Sequence, residues 1–366
     1  MIDNFYFYLF GAFFTSFMLQ YLVIDLSYKK GLFIDDNLSD LPQKFHTAPT
    51  PRIGGLGIFI GCFFLMVNTE IGLFLMLASV PAFVSGFLED LFAKITPSRR
   101  LIIMLVSAVM AIYLLGVVVT DFTFFKVPLE IGVVITIVAI IGMINGTNLI
   151  DGINGLSSGI SIIIFTTYFF ISRIVGDVDI EFISVICVFA LLGFFVFNYP
   201  KGKIFLGDGG AYFIGFMLAV VAILLNKNSA ENGTNISPWF VLCTLIHPVW
   251  EVIFSFFRKA VIEKESPFQP DPYHIHQFIF IYLANKNNPL TTLIILPFVL
   301  INNLIAIQFY DNHIALVVLA LSYVTIYTVS YLIMYKKQTE TIKSGKQSLT
   351  RKGGLIDKDP TKSETN

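Results

Sequence analysis

The chain has 366 residues, 55% of them hydrophobic and 13% charged, with a mean hydropathy of +0.77 and a net charge of −1. Soluble domains carry about 25% charged residues, and no global field favours a strongly charged partner. A soluble enzyme, a disordered protein and a nucleic-acid-binding module are excluded, and the composition is that of an all-α, polytopic integral membrane protein.

A membrane span needs ~20 apolar residues, and about eleven such runs occur in order. They centre near Phe14, Phe63, Ala82, Ala111, Thr136, Ile164, Ala190, Leu218, Thr244, Phe298 and Tyr323. The first run lacks a basic flank and a small-residue cleavage site, so it reads as a retained span. Cys62, Cys187 and Cys243 sit inside apolar runs without pairing or metal-ligand spacing, and read as small core hydrophobes. Residues 1–335 form one transmembrane domain. Residues 336–366 are a polar, basic tail with too little apolar content to fold.

Alternating the spans from an outer N-terminus leaves only Lys126, Arg173 and Lys227 on one side. The other basic residues, the tail cluster included, fall on the opposite side, which the positive-inside rule makes cytoplasmic. Five polar stretches share that side: Lys44–Gly55, Gly86–Asp90, Asn145–Gly155, Asn198–Gly210 and Asp271–His276. A structural bundle has no reason to gather costly polar groups on one face. They mark a site.

Glu89 and Asp90 end the third run, where two adjacent carboxylates repel or bind cations; a helix end reaching toward water is the plainer account. Asp208 stands between glycines that let backbone approach a ligand, or that form an ordinary loop. Asn145, Asn148, Asp151 and Asn154 recur every three residues, a slowly rotating polar stripe if the segment is helical. Their oxygens suit a hard cation and their amides a nucleotide. Asp90, Asp151 and Asp208 in one cavity would indicate phosphate chemistry with Mg²⁺. His274 and His276 point the same way on an extended loop, which Pro270, Asp271 and Pro272 favour. Further zinc ligands are missing there, so donation to phosphate or sugar is the better use of the pair. Lys44, Arg52, Arg99 and Arg100 add fixed positive charge suited to a diphosphate.

The Pro49-Thr-Pro-Arg-Ile-Gly-Gly loop, the acidic pair, the Asn-x-x-Asn-x-x-Asp-Gly-x-Asn-Gly stretch, the Phe-x-Gly-Asp-x-Gly turn and the late His-x-His stand together in one order. This set resembles the polyprenyl-phosphate N-acetylhexosamine-1-phosphate transferases, from Lys44 to His276. The resemblance implies ten or eleven spans and a cytoplasmic site in a bacterial inner membrane. It also implies transfer of a sugar 1-phosphate from a UDP-N-acetyl sugar to undecaprenyl phosphate, with Mg²⁺ (or Mn²⁺) and release of UMP. Position by position, Asp208 resembles the metal-binding aspartate and Asn148 the asparagine sharing the metal. Asp90 resembles the second acid of the family's pair, at the lipid phosphate or metal. Phe205 resembles the aromatic stacked on uracil, with Asp151 and Asn154 lining the nucleotide pocket. Lys44 with Arg99 or Arg100 resemble the diphosphate contacts, and His274 and His276 the histidine loop. His46, Arg52 and Asn198, inside the same motifs, join the substrate-binding set, and Glu89 and Asp151 join Asp90 in the catalytic set.

Two departures bear on the sugar. Glu89 replaces the usual first aspartate, and Asn154 replaces an aspartate of the MurNAc-pentapeptide translocase pattern. Asn154 and the short segment between Ala260 and His276 argue against a pentapeptide substrate, while Glu89-Asp90 with Gly-Lys-Ile-Phe-Leu-Gly-Asp-Gly-Gly-Ala-Tyr from Gly202 resembles the branch that starts O-antigen or capsule synthesis with GlcNAc, FucNAc or QuiNAc. The peptidoglycan enzyme is the alternative within the superfamily, and a lipid-linked sugar flippase is the alternative outside it. His247 and Glu251, four apart in the ninth run, are the best residual support for a transport path; a helix-packing pair is the plainer account. The partners are the lipid bilayer, the polyprenyl phosphate and the nucleotide sugar, with no nucleic acid. Oligomeric state stays open, a homodimer included.

Overall fold

The computed structural model describes residues 5–31, 34–35, 50–66, 69–92, 95–264, 266, 273–343, 348–349 and 355–356. Lys44, His46 and Asp271 lie outside the described residues. The apolar runs fold as helices α1 (Phe5–Lys30), α2 (Gly55–Met66), α3 (Glu70–Phe92), α4 (Pro97–Leu115), α5 (Leu129–Leu149), α6 (Leu156–Val175), α7 (Val178–Asn198), α8 (Gly207–Asn232), α9 (Pro238–Phe257), α10 (Ile275–Tyr282), α11 (Asn288–Gln308) and α12 (His313–Lys343). A π-helical turn, Arg258–Glu263, continues α9. Among the described residues, strands amount to two short antiparallel pairings, one of which joins Ile34–Asp35 to Thr50–Pro51.

Ten described helices are long and apolar enough to cross a membrane. The expected span around Phe63 folds instead as α2, 12 helical residues, or about 18 Å, well short of the ~30 Å hydrocarbon layer. Helix α12 continues to Lys343, beyond the point where the composition turns polar.

Helix α8 is the axis of the bundle, and its apolar stretch is buried all round. A helix apolar on every side belongs in a core. Lipid tails give little hydrophobic drive for helices to associate, so close backbone contact through small residues has to supply the packing. The first residues of α8, Gly-Asp-Gly-Gly-Ala, fit that requirement. A Cβ at Gly86 of α3 would collide with the Asp208 carbonyl carbon, and one at Gly55 of α2 with Gly210. Above these contacts Phe59, Phe83 and Phe213 from the same three helices meet, Phe59 and Phe83 stacked at 4.0 Å. Helices α1, α4 and α12 turn large apolar side chains outward, among them Phe10, Phe14, Tyr113 and Leu321.

The two ends of the bundle are told apart by what is tied there. At one end Trp239 donates to the Phe122 carbonyl, His313 meets Ser237, Lys227 donates to Leu115 and Asn228 to Asp177. The loop bearing Lys126, the last turns of α8 bearing Lys227 and the end of α6 bearing Arg173 gather here. The described parts of the motif stretches gather at the other end, where Arg52, Asp90, Arg100 and Asp208 meet.

Gly86→Ala should lower the apparent melting temperature of the detergent-purified protein, because overpacking of this kind costs about 1–3 kcal/mol. Gly142 has nothing within 4 Å of an added Cβ, so Gly142→Ala should leave melting unchanged or raise it. Equal melting of the two variants would contradict the close approach of α3 and α8.

Candidate active site

The site starts from a strand-like seam. Phe205 N donates to Pro51 O at 2.8 Å, Gly54 N to Phe205 O at 2.9 Å and Gly55 N to Leu206 O at 2.8 Å. This seam lays the Pro-Arg-Ile-Gly-Gly segment along the turn before α8. Gly207 follows with φ +78°, and a Cβ there would strike the Arg52 carbonyl and Asp90. Only glycine allows the chain to turn into α8 at that spot.

A helix start leaves backbone N–H groups without partners. Asp90, at the end of α3, accepts from Asp208 N and Gly209 N at 2.9 Å each, one bond per oxygen. Asp90 therefore seats α8 with both oxygens. Asp208, held this way, receives Arg52 Nη2 on Oδ1 at 2.8 Å and Arg100 Nη1 on Oδ2 at 3.1 Å. Arg52 Nε also lies 3.6 Å from Asp90. The acid side chains are 1% and 7% exposed against 40% and 23% for Arg52 and Arg100, so the guanidiniums form the open side of the cluster. Arg100 also donates to the Tyr212 hydroxyl at 3.2 Å. The sequence motif that ends at Tyr212 gives it no role, although its place four residues after Asp208 puts both on one face of α8.

The Asn145–Asn154 stretch is not one helical stripe. Helix α5 stops at Leu149, and residues 150–155 form a turn before α6. Asn145 faces α4 and its own helix, donating to Ile141 O and Met104 Sδ. Asn148 makes no side-chain hydrogen bond among the described residues. Asn154 is tied into the scaffold: its side chain donates to Pro200 O, and its backbone bonds Asn288 and Thr292. Asn198 likewise spends both polar atoms, accepting from Gly155 N and donating to Ile204 O. Asp151 is half-buried and takes part in no ion pair among the described residues. Desolvation pushes its carboxyl well above the ordinary value, reinforced by Asp208 and Asp90 and opposed by Arg52.

Beside the cluster, Glu89 accepts from Ile95 N at 2.9 Å, shaping the turn into α4. Arg99 is exposed, so Arg100 is the one of the two that reaches the acids. Phe205 is half-buried. His274 and His276 are not on an extended loop: His274 caps α10 and His276 lies in its first turn. Their rings nevertheless stack at 5.6 Å and 4°. His276 Nε2 comes within 3.3 Å of where a Gly152 Cβ would stand, so it abuts the Asp151 turn. Burial lowers both histidine pKa values, that of His276 to about 3. Both rings are neutral at pH 7.

Three carboxylates, Asp90, Asp151 and Asp208, thus face two guanidiniums. Among the described residues no group of three or more acids, imidazoles or thiols forms a ready-made metal cage. An unpaired Asp151 beside Asp208 fits a hard divalent cation of the Mg²⁺ kind, which takes one or two carboxylates and completes its shell with phosphate and water.

In cation-free protein the raised pKa of Asp151 gives a signed prediction. A carboxyl that binds its proton more tightly when folded costs stability above its folded pKa and nothing below its unfolded value. Asp151→Asn should therefore raise the melting temperature at pH 8 and leave it unchanged near pH 3.5. A pH-independent difference would contradict the desolvated setting of this acid.

Comparison with known proteins follows the same geography. The family described as glycosyl transferase family 4 matches residues 72–226, the stretch carrying Asp90, Arg100, Asp151 and Asp208. The chain is 29% identical over 286 residues to the undecaprenyl-phosphate alpha-N-acetylglucosaminyl 1-phosphate transferase of Thermotoga maritima, covering 78% of this chain and 85% of that one. It is 29% identical over 253 residues to a probable undecaprenyl-phosphate N-acetylglucosaminyl 1-phosphate transferase of Bacillus subtilis, covering 64% and 66%. A phospho-N-acetylmuramoyl-pentapeptide-transferase of Streptococcus pneumoniae is 28% identical over 276 residues, covering 68% and 80%. From its ordered motifs and these relatives, the chain belongs to the superfamily of polyprenyl-phosphate N-acetylhexosamine-1-phosphate transferases.

Proposed function

We propose that this protein transfers an N-acetylhexosamine 1-phosphate from a UDP-sugar to undecaprenyl phosphate at the cytoplasmic face of a bacterial inner membrane. The observation that carries this reading is Asp208, seated by Asp90 and held between Arg52 and Arg100 at the end of a buried helix. In the reaction an oxygen of the lipid phosphate attacks the sugar-bearing β-phosphorus. The bond from that phosphorus to the bridging oxygen breaks, and UMP leaves.

Each group has a task in that exchange. Arg52 and Arg100, the exposed cations of the cluster, bind diphosphate oxygens and offset charge that builds on them. Asp208 and Asp151, with the Asn148 amide, would hold Mg²⁺, which when bound neutralises phosphate charge and polarises the phosphoryl group. Asp90 keeps the start of α8 in place, and Tyr212 steadies Arg100. A lipid phosphate is already largely ionised at pH 7, so the attack needs no general base. The sugar falls in the GlcNAc, FucNAc or QuiNAc class, and the product starts an O-antigen or capsule. The printed names of the Thermotoga and Bacillus relatives support GlcNAc-type chemistry, and Glu89 with Asn154 support that branch over the pentapeptide substrate.

Purified protein with undecaprenyl phosphate, Mg²⁺ and a panel of UDP-sugars should release UMP. Asp208→Asn should lower turnover by at least about 100-fold while melting stays close to wild type. Wild-type-like turnover of that variant would sink the assignment. Sidedness is checked separately by labelling Arg99→Cys and Lys126→Cys in oriented vesicles, where the native cysteines are buried. Arg99→Cys should label from the cytoplasmic side and Lys126→Cys from the other, and the reverse would invert the bundle.

A further inference from the structure

The proposed reaction makes no use of Glu251, a carboxylate 1% exposed near the end of α9. An ionisable side chain buried in a membrane bundle is expensive and is functional by default. The sequence offers His247 as its partner, but His247 turns to Tyr323 at 2.8 Å. Glu251 instead meets His274 Nδ1 with Oε1 at 2.9 Å and accepts from the Tyr327 hydroxyl on Oε2. Both oxygens are thereby engaged by groups outside α9, from the start of α10 and from α12.

A carboxylate only accepts hydrogen bonds, so the proton in the His274 contact sits on Nδ1, and the neutral ring keeps its lone pair on Nε2. The plane of that ring is shared. His276 lies parallel to it at 5.6 Å and 4°, is 1% exposed, and has its own Nδ1 buried without a hydrogen-bond partner among the described residues. On its far edge His276 abuts Gly152, next to Asp151. A continuous path of contacts therefore runs from Tyr327 through Glu251, His274 and His276 to the turn carrying Asp151.

We infer that Glu251 is a positioning residue: it fixes the tautomer and ring plane of His274, and through the stacked His276 it sets the histidine side of the active-site turn. This inference rests on the transferase reading for its role in turnover, whereas the tautomer itself does not depend on it. Helix α12 is part of the same device. Tyr327 locks the second oxygen of Glu251, Tyr331 donates to the Tyr273 carbonyl at 3.1 Å, and the Tyr282 hydroxyl bonds Gln338. The last helix thus holds the histidine helix, and its role goes beyond anchoring the chain.

Glu251→Gln keeps the shape of the side chain and can still accept from His274, but it removes the charge. It should cost about 10–100-fold in turnover, the range for groups that orient a functional imidazole, through kcat more than KM for UDP-GlcNAc. Glu251→Asp should recover part of the loss. If Glu251 acts through His274, the double variant Glu251→Gln/His274→Asn should be no slower than His274→Asn alone. Multiplying losses, or full turnover of Glu251→Gln, would overturn the inference.

The second measurement needs no activity. Histidine ring nitrogens, labelled with ¹⁵N in protein with five histidines, should report His274 as an Nδ1–H tautomer that changes in Glu251→Gln, with the signal assigned by its loss in His274→Asn. An unchanged His274 spectrum would overturn the positioning role even if a variant is too unstable to assay. Wild-type protein that releases no UMP would instead end the transferase reading, leaving the tautomer result to decide Glu251.

Discussion

The structure depends on how one helix begins. Helix α8 lies in the middle of the bundle, so its first backbone N–H groups cannot turn to water, and a buried helix start without acceptors is not sustainable. Asp90 supplies the acceptors from α3. It can reach them because α3 presents Gly86 and α2 presents Gly55 against the same backbone. A buried donor left without its acceptor costs about 1–3 kcal/mol. A misplaced α3 would cost both bonds together. The direction of the Asp208 side chain is therefore set by contacts that this side chain does not itself make.

Charge balance explains why the cluster sits at an end of the bundle. Asp90 and Asp208 share two guanidiniums that remain partly open to solvent, which lowers the penalty for burying the acids. Asp151 joins them without an ion-pair partner of its own among the described residues, so with all three acids ionised the local sum would be negative. Such a surplus is tolerable where water or a cation can reach it and ruinous in hydrocarbon. On the other side of the turn the arrangement reverses. Glu251 is fully enclosed, yet neutral donors, an imidazole and a phenol, satisfy both of its oxygens.

Composition alone makes the class of fold legible, and the polar motifs make the site legible, because membrane spans and costly polar groups are both conspicuous against an apolar background. What the sequence hides is three-dimensional partnership. The run around Phe63 looks like a span by length of apolar character, but its described helix covers only 12 residues, Gly55–Met66. Periodicity cannot show that α5 ends at Leu149, so it groups Asn145 and Asn154 with Asp151 when their bonds are structural. The motif gives Asp90 as a reacting group but does not show that each of its oxygens also accepts from a backbone amide of α8. Glu251 and His247 are four apart and invite pairing on one helix, yet each chooses a partner from elsewhere. One signal for that partner does lie in the sequence. Tyr323, Tyr327, Tyr331 and Tyr335 recur every four residues, a stripe of hydroxyls on one face of α12 that only a polar neighbour would justify.

The turn at residues 150–155 joins the two halves of the site, and its shape follows from what it must touch. A continuous helix would carry positions 148, 151 and 154 around its axis at about 100° per residue, so side chains three apart would drift off any single target. Breaking the helix after Leu149 frees Asp151 toward the arginine–aspartate cluster and leaves Gly152 against His276. The break would be loose if nothing held its ends. Asn198 and Asn288 each grip a backbone amide of the turn, and Thr292 grips the Asn154 carbonyl. Two helices that carry no reacting group, α7 and α11, thereby fix a short turn between a charged half and a neutral half. Rigidity in the amide-rich scaffold is what lets one acid face the arginines while its neighbour rests on an imidazole.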